Sequence, residues 1–386
     1  MPDTAPIVII GTGLAGYTLA REFRKLNKDA PVLMLTADDG HSYSKPMLST
    51  GFAKAKTADQ LSMADPGKMA EQLNIDVRTF ATVTALDPDG HRLFIGEEAV
   101  AYSKLVLAWG ADLIHLNIPG SGAGKVFAVN DLMDYRRIRD ALHDKKKVAI
   151  LGAGLIGCEF ANDLLQGGYH VELIAPSDTA LPGMLPKAAG DAVVKGLQAQ
   201  GAVFHLGQVA TAVEEAGDGV ELTLDNGVKV QADIVLSAVG LRPRTTLAKH
   251  AGVQVNRGIV VDREMRTSAA DIYALGDCAE VDGHVLLYVL PLMACAKALA
   301  KSLAGEPTKV SYGVMPVVVK TPACPVVVAP PPVGAEGEWR VEQSGDCDVR
   351  ALFVNADGAL EGFALTGSHV MEKQKLAQQL DPIHND

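Results

Sequence analysis

Two glycine triplets carry the plainest chemistry in this sequence: Gly11, Gly13 and Gly16 in IIGTGLAG, and Gly152, Gly154 and Gly157 in ILGAGLIGCE. In each, the first glycine permits a tight turn and the second lets a pyrophosphate approach the backbone. The third lets a helix pack closely on a strand, with the helix N-terminus facing the phosphates. That chemistry is the holding of a dinucleotide. After the first copy, PVLMLTADDG ends in Asp38 and Asp39, about twenty residues past Gly16, where a carboxylate accepts hydrogen bonds from an adenosine ribose. The second copy lacks that acid. Its following strand is predicted to end at Ala175, the nearest carboxylate is Asp178, and no arginine lies between Gly168 and Ser177 to hold a 2′-phosphate. NADH is therefore expected as the second nucleotide, with NADPH left open. Two cradles on one chain suit a bound flavin dinucleotide and a visiting nicotinamide dinucleotide.

The elements that must position these glycines are readable around them. APIVII is a β-branched strand, and the stretch after Gly16 is an amphipathic helix with Leu19, Phe23 and Leu26 on one side. KKVAILGAGLIGCEFANDLLQGGYHVELIAPSD repeats strand, turn, helix and strand. A chain of 386 residues with 48% hydrophobic content buries a large core and fits two or three domains. The formal charge of −11 argues against nucleic acid as a partner. No apolar run approaches the roughly 20 residues of a membrane helix, because Lys320 and several prolines break PVVVKTPACPVVVAPPPV. A strand beginning at Ile7, straight after MPDTAP, leaves no room for a leader, so the cytoplasm is expected. The 5 cysteines are scattered and nowhere in C-x-x-C spacing, which indicates neither a disulfide framework nor a metal site. Cys158 and Cys295 read as buried packing, and Lys145 to Lys147 as a solvated turn.

Further motifs bring the chain close to a known family. LVLAWGA (Leu105 to Ala111) resembles the strand and turn that close the FAD domain of two-dinucleotide flavoproteins. IVLSAVGLRPRT resembles the strand leading out of the NADH domain, and TSAADIYALGDCAE (Thr267 to Glu280) the second FAD signature, a strand ending in Gly-Asp. These features resemble the FAD-dependent pyridine-nucleotide reductases over essentially the whole chain. More narrowly, TADDGHSYSKPMLSTGF, VNDLMDYRRIR, GLIGCEFANDL and VVVKTPACPVVV are similar to the bacterial rubredoxin reductases of alkane oxidation. The resemblance implies an α/β fold with two Rossmann-like dinucleotide-binding domains. The FAD domain would span 1–112 and 241–314, the inserted NADH domain 113–240, and a small α+β C-terminal domain 315–386. Independently, VRALFVNADGALEGFALTG reads as two alternating strands around an Asp-Gly turn, and SHVMEKQKLAQQL as a closing helix.

What the resemblance implies for the site follows residue by residue. Asp277 bonds a ribityl hydroxyl, and a helix starting near Leu290 points its positive end at the flavin pyrimidine. The expected cofactor contacts are Gly11, Gly13, Leu14, Ala15, Gly16, Asp38, Lys45, Pro46, Ala108, Gly110, Gly152, Gly154, Ile156, Gly157, Glu159, Gly240, Gly276, Asp277, Met293 and Lys320. Relatives outside the rubredoxin branch carry a lysine where this chain has Thr50, so Lys45 or Lys320 is expected to supply the cation beside the flavin, with Glu159 as its partner because a buried charge needs one. Lys320, among apolar neighbours, is the expected buried one. Lys45 contacting FAD phosphate or solvent, Lys320 as a strand-edge charge and Glu159 as a plain helix residue stay open. SYSKPMLSTGFAKAK holds no cysteine, unlike dithiol-using relatives, so electrons should leave the flavin directly. NADH would dock on the second motif and deliver a hydride, and rubredoxin would accept single electrons at its iron. Any steering of an acidic rubredoxin must use local patches: Arg242, Arg244 and Lys249, or Lys45 and Lys320. A monomer or weak dimer is expected. A ferredoxin reductase, a peroxide-forming NADH oxidase and an NADH-sensing flavoprotein resembling apoptosis-inducing factor are the alternatives. Alkane hydroxylation rests on the resemblance, since no residue pattern marks a hydrocarbon pocket. The protein should purify yellow or turn yellow on incubation with FAD; a preparation colourless after both would overturn the two-cradle reading.

Overall fold

The computed structural model describes residues 5–384; Met1 to Thr4, on which the absence of a leader was partly read, lie outside the described residues. Runs of consecutive apolar residues, rather than alternating ones, mark strands buried on both faces of a parallel sheet. Ile7–Ile10 and Val32–Leu35 are buried at every position. They sit in a five-stranded parallel sheet in the order Ile272–Ala274, Lys104–Leu107, Ile7–Ile10, Val32–Leu35, Asp76–Arg78. One edge strand thus comes from far along the chain. A second five-stranded parallel sheet runs Val126–Phe127, Ile234–Ser237, Lys147–Leu151, His170–Ala175, Val203–Leu206. Two α/β halves of the expected kind are therefore present. The antiparallel pair Ala111–Leu113 and Leu241–Pro243 joins them where the chain passes from one to the other and back.

Each half also carries a three-stranded antiparallel sheet that the sequence reading did not contain: Ala85–Asp87, Arg92–Ile95 and Glu98–Ala101 in one, Ala210–Ala216, Gly219–Leu224 and Lys229–Ala232 in the other. The C-terminal part is richer than two strands and a helix. Its antiparallel sheet has five strands, in the order Val317–Val319, Val326–Ala329, Leu360–Thr366, Val349–Val354, Glu338–Gln343. The Asp-Gly turn lies between two of them, as expected. The closing segment is not one helix: it is a 3-10 turn at Gly367–Glu372 followed by the short helix Lys373–Ala377, burying only Leu376 between them. With one apolar anchor, that segment gains little from continuing as a helix.

Helix Leu14–Leu26 turns Leu19 and Phe23 into the core, but Leu26, expected beside them, is 52% exposed at the last turn. The helix packs against Val289–Leu303, which begins one residue before its predicted start. Lys147 opens a strand rather than a turn, while Lys146 lies over the Tyr169 ring at 4.5 Å. Among the described residues no helix is long and apolar enough to cross a membrane.

The glycines do the work of bringing strand ends and helix starts together. A Cβ on Gly16 would stand 1.9 Å from the Gly11 carbonyl oxygen, and one on Gly157 would stand 2.0 Å from that of Gly152. Gly13 and Gly154 differ: nothing lies within 4 Å of a Cβ there. Gly16→Ala should therefore lower stability by about 1–3 kcal/mol through overpacking, whereas Gly13→Ala should leave the urea midpoint unchanged; equal midpoints for the two variants would refute the distinction.

Candidate functional site

At both cradles the helix starts bare. Gly13 and Gly154 cap helices Leu14–Leu26 and Leu155–Gln166 without any side-chain hydrogen bond, so the first-turn N–H groups point outward into the open space beside those glycines. An anion with several oxygens suits that arrangement, and a pyrophosphate is such a group. Gly11 and Gly152 have φ of +113° and +105°, and their missing side chains allow the Ala108 and Ala238 carbonyls to close in from the neighbouring strand ends. Gly110 (φ +74°) follows Ala108 in the same crossover. Ala15 and Gly276 touch, because a Cβ on Gly276 would stand 2.9 Å from that of Ala15, and Leu292 lies 3.6 Å away. The second glycine-aspartate signature thus meets the first motif and the start of helix Val289–Leu303. Met293 on that helix is half-buried against the same core.

Asp38 is held rigidly. Its Oδ1 accepts from the Thr36 hydroxyl (2.6 Å), the Gly40 N–H (2.9 Å) and the Thr12 hydroxyl (3.3 Å). Among the described residues no hydrogen bond falls on Oδ2. Asp39, the alternative acid, instead lies 3.2 Å from His41 Nδ1 and 3.8 Å from Arg136. At the second cradle Asp178 is exposed and faces Lys187 at 3.7 Å, while Ser177 turns its hydroxyl to the Thr179 carbonyl. The buried Ser237 hydroxyl, at the carboxyl end of the same sheet, has no hydrogen-bond partner in the structure. Gly240 (φ +116°) follows it, and its carbonyl accepts from the Ile114 N–H at 3.1 Å. Ile156, in the first turn of the second cradle's helix, is 39% exposed.

Between the cradles stands a charged cluster built from three distant stretches. Glu159, on the second cradle's helix, is 2% exposed. Its Oε2 meets the Lys320 ammonium and accepts from the Ser49 hydroxyl at 2.8 Å, and its Oε1 accepts from the Lys320 backbone N–H at 3.0 Å. The Lys320 ammonium also donates to Ser49 Oγ (2.6 Å) and to the Pro46 carbonyl (2.8 Å). Glu159 therefore has a partner in Lys320, and is more than a helix residue. Lys45 points elsewhere. Its ammonium donates to Asn130 Oδ1 at 2.7 Å and lies 3.6 Å from Asp277, while Asn130 donates onward to the Ala111 carbonyl. Lys320, expected as the buried one of the two, is only half-buried: its side chain is 30% exposed against 35% for Lys45. What separates them is the partner: a carboxylate sealed from water for one, a carboxamide and a part-exposed aspartate for the other. Thr50 takes no part, because its hydroxyl folds back to the Met47 carbonyl at 3.0 Å.

Sequence reasoning missed Ser49, Asn130, Asn162 and Asp163. Asp163 accepts from the Phe52 and Ala53 N–H groups (2.9 and 2.8 Å), and Asn162 from the Ala323 N–H (3.0 Å). Burial pushes the Asp163 carboxyl above its usual range, and those two N–H donors pull it back. The signal was available: Glu159, Asn162 and Asp163 are polar residues at i, i+3 and i+4 in an otherwise apolar helix. The Ser-Lys and Asn-Asp stretches were noticed only for their resemblance. All cysteines among the described residues are free. Burial lifts the Cys158 and Cys278 thiols to about 12 and that of Cys295 to about 11, so none is a ready nucleophile beside the cradles. Arg244, weighed for steering, is tied to Asp112 (2.6 Å) and the Trp109 carbonyl (3.1 Å).

Residues 5–301 match the pyridine nucleotide-disulphide oxidoreductase family, and residues 309–380 match a rubredoxin binding C-terminal domain. The chain is 58% identical to the rubredoxin-NAD(+) reductase of Alcanivorax borkumensis, over 98% of this chain and 99% of that protein. It is 46% identical to the rubredoxin-NAD(+) reductase of Acinetobacter baylyi, over 98% of each. The crystal structure of a ferredoxin reductase from Rhodopseudomonas palustris shares the fold, with a TM-score of 0.86 at 24% identity, covering 97% of this chain and 95% of that one. The chain belongs to the pyridine nucleotide-disulphide oxidoreductase family.

Proposed function

We infer that this chain is an FAD-dependent NADH:rubredoxin reductase acting in the cytoplasm. The observation that carries the reading is the position of Lys320: it lies in the segment matching a rubredoxin-binding domain, pairs with a carboxylate on the second cradle's helix, and bonds Ser49 and Pro46 beside the first. FAD, when bound, would supply the exchange between a two-electron donor, NADH, and an iron centre that takes electrons singly. The chain's own residues bind, orient and balance charge.

On this reading Gly11, Gly13, Leu14, Ala15 and Gly16 hold the FAD pyrophosphate, and Asp38 Oδ2 holds the adenosine ribose. Ala108, Gly110, Gly276 and Asp277 form the wall that the ribityl chain follows, with Met293 on the same side. Gly152, Gly154, Ile156 and Gly157 receive NADH, with Gly240 at the strand exit. Lys45, steadied by Asn130 and Asp277, keeps one cation beside the flavin site; Lys320, fixed by Glu159 and Ser49, keeps a second. A cation held there favours negative charge on whatever it faces and needs no rearrangement when that charge appears. The domain limits at 112, 241 and 314 follow from the same reading, supported by the antiparallel pair of Ala111–Leu113 with Leu241–Pro243.

Mixing NADH with purified rubredoxin and this protein should remove the iron's visible colour catalytically. Turnover with ferredoxin or oxygen but not rubredoxin would overturn the assignment. In Lys320→Met, anaerobic bleaching of the flavin by NADH should slow by at least about tenfold, as expected for losing one preorganised charge; bleaching at the original rate would reject the role given to Lys320.

A further inference from the structure

Cys324 and Cys347, 23 residues apart, meet at one end of the C-terminal sheet. Cys324 closes the turn that begins at Lys320: the Cys324 N–H donates to the Thr321 carbonyl at 2.9 Å, and the Thr321 hydroxyl donates to the Cys324 carbonyl at 2.8 Å. Cys347 lies in the turn between strands Glu338–Gln343 and Val349–Val354. Cys324 Sγ lies 3.7 Å from the Cys347 carbonyl, and Cys347 Sγ lies 3.9 Å from the carbonyl of Ala323, the residue before Cys324, and 3.8 Å from that of Ala192. Helix Lys187–Ala199 covers both. A Cβ on its Gly196 would stand 2.5 Å from Cys324 Cβ and 3.2 Å from Cys347 Sγ, so the glycine lets the helix close over a shared pocket. Cys324 is fully buried and Cys347 half-buried.

We propose that Cys324 and Cys347 form a dithiol that closes to a disulfide by exchange with a small-molecule disulfide such as oxidised glutathione, shifting the turn that carries Lys320. Cys347, the accessible partner, attacks first as the thiolate. A glutathione thiolate leaves and takes up a proton, and a mixed disulfide remains on Cys347. Cys324 then loses its proton and attacks Cys347 Sγ, expelling the second glutathione. Two electrons pass from the protein to the glutathione disulfide, and both thiol protons end on the two glutathiones. Bonding requires the sulfurs to approach to about 2.05 Å, closer than van der Waals contact. Thr366 donates its hydroxyl to the Cys347 carbonyl at 2.5 Å and holds that side to the sheet, and the Cys324 turn is held through the Ala323 N–H on Asn162 at 3.0 Å, so closing the bond loads both and shifts the Cys324 turn against the Asn162 contact. Lys320 opens the yielding turn, and its backbone N–H is bonded to Glu159. Burial, and then the neighbouring Cys347 thiol, push the Cys324 thiol up to about 12, so little of it is thiolate and the second step is slow.

The effect on turnover rests on the reductase reading above; the bond itself does not. The test incubates the FAD-loaded protein with oxidised glutathione, blocks free thiols, and maps linked peptides by mass spectrometry beside rubredoxin turnover. The expected result is a peptide pair joined at 324 and 347, absent in Cys347→Ser, with turnover reduced at least twofold and restored by dithiothreitol. Absence of the joined pair overturns the proposal, whether or not Cys347 carries glutathione. A joined pair with turnover unchanged overturns the shift of the Lys320 turn. Reduced protein that never delivers electrons to rubredoxin sinks the reductase reading, while the bond still stands or falls by the mass spectrum.

Discussion

A carboxylate sealed from water is tolerable only with a cation and donors around it, and Glu159 obtains its partners from two other parts of the chain. Ser49 arrives on the 3-10 turn beside the first cradle, and Lys320 arrives from the C-terminal sheet. The same helix offers Asp163 to the Phe52 and Ala53 backbone and Asn162 to that of Ala323. One helix face therefore binds both neighbours through polar groups that nothing else nearby would satisfy. Slippage at either contact strands a charge or a carboxamide in a dry place, which costs far more than loss of an equal apolar contact. The contacts tie the second cradle's helix to the turn beside the first cradle and to the C-terminal sheet.

The parts of this fold that were legible in the sequence are those where backbone geometry tolerates few residue types. The turns at Gly11 and Gly152 require positive φ and close carbonyl approach, so the glycines announce them. The buried parallel strands announce themselves as unbroken apolar runs. The antiparallel sheet from Ala210 to Ala232 does not, because its alternation is shallow and its outer face carries Glu, Thr and Lys that resemble loop residues. Strand Glu338–Gln343 is mostly exposed and equally silent. In the site, the pairing of Glu159 with a lysine was legible, but the choice between Lys45 and Lys320 depended on a turn bringing Lys320 across from another sheet. Ser49 was invisible because a serine beside a proline and a lysine has many ordinary explanations. The partner of Lys45 was invisible for a similar reason: Asn130 lies in a connection with no local pattern to mark it.

The family name refers to a disulphide, yet thiol chemistry has no place between the two cradles. The segment from Ser42 to Lys56 carries no cysteine, and the thiols nearest the glycine motifs are buried and hydrogen-bonded to main-chain carbonyls.

The edge strand Ile272–Ala274 pairs with Lys104–Leu107, so the first sheet is finished by residues made long after its other four strands. Every strand of the second sheet lies between Val126 and Ser237. During synthesis from the N-terminus, the inserted half can therefore complete its sheet while the half that encloses it is still missing a strand. Its two ends are joined by Ala111–Leu113 and Leu241–Pro243, so its folding draws the separated pieces of the outer half together and shortens the loop that the last strand must close. The second cradle acts as a staple for the assembly of the first.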